Sequence, residues 1–94
     1  MNIKETHKKE APISAQSIFK GKGNAVAIQI LKGETLKEHS TKVPAFLICI
    51  EGEVVFENKL GVKQGLKSGD MLAIEPNVKH WLEALVDSQL LLLK

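Results

Sequence analysis

The sequence predicts an all-β domain built as a single barrel, and three observations carry that expectation. Gly and Pro recur at short intervals, at Gly21, Gly23, Gly33, Pro44, Gly52, Gly61, Gly65, Gly69 and Pro76. The runs between them are rich in Val, Ile, Leu and Phe. Those runs leave little room for a helix of ordinary length, about eleven residues. Turn signals at this spacing around short apolar runs are the pattern of a sandwich or barrel.

The strands follow in order. Residues 13–19 form the first apolar run after Pro12, and 25–32 lead up to Gly33. Residues 35–40 alternate weakly and carry His39. Residues 45–50, between Pro44 and Gly52, are apolar at both parities. Residues 53–57 and 62–66 flank the break at Gly61, and 71–75 end at Pro76. Residues 79–85 hold His80 and Trp81, and 88–93 end in an unbroken Leu run at 90–93. A strand with one wet face alternates; the runs at 46–50 and 90–93 do not, so both of their faces need cover. One face fills the barrel. The other must meet a second sheet, the N-terminal arm or another subunit, and a homodimer is expected.

Bulk properties bound the rest. The 94 residues make one domain, with 1–12 as a flexible polar arm and 13–94 as the barrel. The formal net charge is +2, and all thirteen basic residues are Lys. A chain without Arg or Tyr lacks the usual groups for reading phosphates and bases, so no nucleic-acid partner is expected. Cys49 is the one cysteine, so no internal disulfide forms. The first residues lack the apolar stretch of a secretory leader. No run approaches the roughly 18 apolar residues of a membrane span. No membrane partner is expected, and a cytoplasmic location is the default expectation.

Two stretches carry a family resemblance. In the first, Gly33 is followed after five residues by His39, then Ser40, Thr41, three residues, Ala45, six residues and Gly52. In the second, Gly69 and Asp70 precede Met71-Leu72-Ala73-Ile74-Glu75-Pro76-Asn77, and His80 and Ala84 follow. These resemble the two motifs of the cupin superfamily, over roughly residues 25–93. The ending also resembles a set of short single-domain cupins. The resemblance implies a jelly-roll, or double-stranded β-helix, with little or no helix. It also implies a metal-ligand set of three His and one Glu, of which His39 and His80 match. Thr41 stands at the second His position and Ala45 at the Glu position. Asn77 replaces the turn Gly, and Asn tolerates the left-handed backbone that this turn needs.

Catalytic metal sites keep at least three protein ligands, and two remain here. His39 and His80 are the candidate metal residues, as an incomplete set. Cys49 shares the parity of Ala45 but lies about 13 Å farther along the strand, too far to replace the missing carboxylate. Gln29 is a candidate inward residue; Glu38 and Glu83 are expected to point outward. Cys49 reads as a small core hydrophobe, Trp81 as packing between the sheets or subunits, Asp70 as turn chemistry, and His7 as a solvated residue of the arm. The lysines read as solvated surface.

The expected function is a small-molecule-binding barrel without a complete metal site, with His39, Thr41 and His80 as its polar contacts. No cofactor is expected and no catalytic residue is assigned. The alternatives are a metal-dependent cupin enzyme of isomerase or dioxygenase type, using a divalent transition metal on a reduced ligand set, and a structural or interaction dimer.

Overall fold

Left-handed glycines at Gly33, Gly52, Gly61 and Gly69 turn the chain at four of the seven breaks between strands, and Asn77 at a fifth. A computed structural model of the chain describes residues 1–2, 12, 18–19 and 22–94. Eight strands follow: β1 (Ala25–Ile30), β2 (Thr35–His39), β3 (Ala45–Glu51), β4 (Glu53–Asn58), β5 (Lys63–Lys67), β6 (Met71–Ile74), β7 (His80–Ala84) and β8 (Ser88–Leu93). No helix occurs among the described residues. The strand expected at 13–19 lies mostly outside the described residues, and Ile18 and Phe19 carry no regular structure.

The strands form two four-stranded sheets, ordered β1-β8-β3-β6 and β2-β7-β4-β5. All pairings are antiparallel. Every connection except the β4–β5 hairpin crosses between the sheets, which gives the jelly-roll barrel expected from the sequence. The inward faces meet in one core containing Leu47, Cys49, Val54, Phe56, Leu66, Leu82 and Leu90. Burying each large apolar side chain there contributes about 1.5–3 kcal/mol. Cys49 is fully buried, and burial pushes its thiol pKa up, with Asp70 adding to the effect. It behaves as a core residue, as its sequence context implied.

The register explains the doubly apolar strands. Leu47 and Cys49 of β3 face the core, so Phe46, Ile48 and Ile50 face out. Their neighbours on the same outer face are Leu91 and Leu93 of β8, Met71 and Ala73 of β6, and Ala25 and Ala27 of β1. Ile48 and Met71 are buried, Phe46 and Leu91 half-buried, and Ile50 is 53% exposed.

One expectation about facing is corrected. Gln29 points out: it pairs with Gln89 across β1 and β8 and accepts that side chain's amide hydrogen at 2.9 Å, while Ile28 and Ile30 take the inward positions. Trp81 faces away from the inward His80 and so does not pack between the two sheets. It lies outside the second sheet opposite Glu57, and its indole N–H donates to that carboxylate at 3.3 Å.

Turns are fixed by specific contacts. Asp70 accepts the Lys67 amide at 2.7 Å and the Asn2 side-chain amide at 3.0 Å, and these hold its carboxyl below the usual range, the Lys67 amide most of all. Most of the polar arm expected at 1–12 lies outside the described residues. Met1 and Asn2 lie along the β6 edge: Met71 N–H donates to the Met1 carbonyl at 2.7 Å, and Asn2 bridges Asp70. Gly52 has φ +102°, and a Cβ there would lie 2.6 Å from the Asp87 carbonyl oxygen, so only glycine fits between β3 and β4.

Candidate functional site

His39 ends β2 and His80 begins β7, and the two are direct cross-strand partners. The pairing shifts register between Leu36 and His39. That irregularity lets Leu36 pack against the core and still turns His39 to the same face. Cross-strand partners share a face, so the two rings meet, with centroids 4.2 Å apart and planes at 62°. His80 is 2% exposed and stacks on the core ring of Phe56 at 5.5 Å. His39 is half-buried.

The nitrogen contacts define the chemistry. His39 Nε2 and His80 Nε2 are 3.1 Å apart. His39 Nδ1 lies 2.8 Å from the Lys37 carbonyl oxygen, and His80 Nδ1 lies 3.3 Å from that of Val78. A carbonyl oxygen only accepts, so each Nδ1 must carry hydrogen to make its bond, and one Nε2 must carry hydrogen to reach the other. Three bonds need three hydrogens, and two neutral imidazoles bring two. A third hydrogen placed on the accessible His39 ring satisfies all three contacts, with His80 neutral. Burial lowers the pKa of His80; the Val78 carbonyl opposes this, and the charge of His39 adds to it.

Thr41 follows in the β2–β3 loop and is buried. Its hydroxyl donates to the Val43 carbonyl at 2.7 Å, and its own carbonyl accepts the Asn77 amide at 2.7 Å. Asn77 has φ +62°, the left-handed conformation expected where it replaces glycine. The turn before β7 is thereby tied to the loop after β2, and both carry the His pair. Ala45 is buried and offers no donor atom.

The described residues do not complete a metal site. The two imidazoles converge through Nε2 with each Nδ1 on a backbone carbonyl, the orientation of a ligating His pair, but the Thr41 hydroxyl is bonded to Val43 and Ala45 supplies nothing. Among the described residues, no three His, Cys, Asp or Glu side chains come together closely enough to hold one.

Beside the pair lies a cavity of about 950 Å³. Its walls are the 40–44 loop, residues 18–19 and 22–24, and the ends of β3, β6 and β8. His39 and Thr41 line it, whereas His80 sits behind His39 and does not. Lys22, Lys42 and Lys94 also line it, together with Phe19, Phe46 and Leu92. Sequence reasoning missed these. Lysines at 22, 42 and 94 share no spacing pattern, and only the sheet topology brings them to one rim.

The family model described as Cupin domain matches residues 27–93. No curated protein matches the sequence. The fold is similar to that of an RmlC-like cupin from Shewanella frigidimarina NCIMB 400, with a TM-score of 0.70 and 25% identity over 80% of this chain and 67% of that one. It is similar to a cupin superfamily protein from Desulfitobacterium hafniense DCB-2, with a TM-score of 0.72 and 16% identity over 94% of this chain and 93% of that one. It is also similar to a conserved protein of unknown function from Streptococcus pyogenes, with a TM-score of 0.71 and 17% identity over 81% of this chain. The match spans 66% of that protein's length.

Proposed function

The chain belongs to the cupin domain family, and on that premise we propose that it is a small-molecule-binding barrel that works without a resident metal. The carrying observation is a cavity of about 950 Å³ beside a His pair whose ring nitrogens bond each other and the backbone. Binding pockets for small molecules span roughly 300–1,000 Å³ and hold a few polar groups in an apolar wall. His39 lines the cavity with its ring while its two nitrogens are engaged by His80 and the Lys37 carbonyl, and His80 holds it in place from behind. Thr41 shapes the wall through its bond to Val43. In this reading the protein is a binding module and not an enzyme, and it acts in the cytoplasm as a homodimer joined through the outer face of the β3–β8 sheet.

The test is native mass spectrometry and elemental analysis of untagged protein purified without chelator. The expected result is a co-purified organic molecule or uptake of small-molecule probes, with metal at background. A stoichiometric transition metal that His39→Ala removes would overturn the metal-free reading and favour an enzyme.

A further inference from the structure

We propose that the cavity binds an organic carboxylate with an apolar body, its head at the lysine rim and its body along Phe19, Phe46 and Leu92. This rests on the reading that the cavity is a binding site. The side-chain charge of the wall is one-sided. Lys22, Lys42 and Lys94 all line it, and no Asp or Glu side chain does so among the described residues. Across the whole chain acids and bases nearly balance, eleven against thirteen, so a wall with three lysines and no acidic side chain departs from the general surface.

Among the described residues, none of these three lysines is held in an ion pair; Lys59 pairs with Glu38, 3.4 Å apart and away from this rim. Lys94, the last of the 94 residues, also brings its main-chain carboxylate to this rim, where an oxygen accepts the Asn24 amide at 2.6 Å, so the net positive charge falls to Lys22 and Lys42. Ser40 adds a hydroxyl to the wall.

The rest of the wall is apolar: Ile18, Val43, Ala45 and Ala73 join the two Phe residues and Leu92. A small inorganic anion would leave that surface wet, and a neutral hydrocarbon would make no use of the ammonium groups on the rim. A molecule with one anionic end and an apolar body answers both. Ammonium groups are flexible point charges that serve a carboxylate or a phosphate alike, so it is the apolar wall that selects an anion with an organic body. Among the described residues there is also no helix whose N-terminus could cradle a phosphate.

The experiment is calorimetric titration of the full chain with decanoate, decanol, decylamine, acetate and inorganic phosphate at low ionic strength. Decanoate is expected to bind at least ten-fold more tightly than each of the others. The triple variant Lys22→Gln/Lys42→Gln/Lys94→Gln is expected to lose at least ten-fold for decanoate while leaving decanol unchanged. All three positions are exposed, so circular dichroism should show an unaltered fold, and the single variant Lys42→Gln gives a milder check of about two- to five-fold. Decanol binding as tightly as decanoate would overturn the anion assignment and leave the binding module standing. Phosphate binding more tightly than decanoate would overturn the carboxylate assignment. No heat with any probe, and no co-purified molecule, would overturn both this proposal and the reading it rests on.

Discussion

His39 and His80 face each other Nε2 to Nε2 at 3.1 Å, while each Nδ1 turns to a backbone carbonyl. The geometry is one hydrogen short when both rings are neutral and one hydrogen over when both are charged. A pair that holds three hydrogens is satisfied. The fourth would set two N–H donors against each other beside the ring of Phe56.

That relationship predicts a pH dependence of stability. The folded-state pKa of His80 lies below its ordinary 6.5, chiefly through burial. Below pH 6.5 the unfolded chain therefore binds more protons at this residue than the folded one. Stability from this source is fully present above pH 6.5 and declines as pH falls from 6.5 towards the folded pKa; below that it levels off. Urea unfolding between pH 8 and 5 should show the decline, and His80→Phe should flatten it. Equal slopes in the two proteins would show that His80 is not its source.

Metal removal separates this reading from the enzyme alternative. Dialysis against a chelator is expected to leave the melting temperature unchanged. Added Zn, Ni or Mn at ten times the protein concentration is expected to shift it by less than about 1 °C, because a ligand that binds the native state tightly would raise stability by mass action. A rise of several degrees that His39→Ala abolishes would point to a bound ion at the pair.

Gly52 and Gly61 test how much of the barrel depends on one close approach. Both have positive φ, at +102° and +87°. At Gly61 a methyl group would meet no atom within 4 Å, whereas at Gly52 it would lie 2.6 Å from the Asp87 carbonyl oxygen and 2.7 Å from the Ser88 Cα. Gly61→Ala should cost about 1–2 kcal/mol, the left-handed penalty alone. Gly52→Ala adds a backbone clash and should exceed about 3 kcal/mol, in the range of the most disruptive single changes. Urea midpoints of the two variants decide it; similar losses would mean that the strands separate freely at Gly52.

Much of the fold was legible because turn residues and parity are local signals. Eight of the nine expected strands match strands in the two sheets, and the left-handed turn at Asn77 follows from the chemistry of that residue. Gln29 was not legible, because Ile28 and Ile30 alternate with it and the short edge strand left its parity open. The Nε2 contact of His39 with His80 depends on a register shift in β2 that no residue type marks. The lysine rim gathers residues from three distant parts of the chain, and lysine alone signals only solvent.

Asn77 gives a graded test of the turn that carries His80. At φ +62° Asn is tolerated and Gly is freer. Asn77→Gly should leave stability within about 0.5 kcal/mol of the parent, and Asn77→Val should cost at least about 1–2 kcal/mol. The amide bond to the Thr41 carbonyl survives both changes, so differences in thermal unfolding report the backbone conformation. Equal stability of the Val variant would mean that the turn relaxes out of the left-handed region.

The outer face of the β3–β8 sheet supports the last prediction. Ile48, Leu91 and Leu93 stand on adjacent central strands with no charged residue among them. Ile48 is already buried within the chain and the two Leu residues are half-buried, so a second copy would cover the remainder of this apolar face, Ile50 included. A second copy placed on it by a two-fold axis buries the same uncharged strip on both sides. Leu91 points away from the core, so Leu91→Lys should leave the barrel folded while setting a charge against its symmetry mate. Light scattering coupled to size exclusion should give twice the chain mass for the parent and once for the variant at micromolar concentration. A monomeric parent would rule out this use of the face, and a dimeric Leu91→Lys variant would place the contact on another surface, such as the outer side of the sheet that carries Trp81.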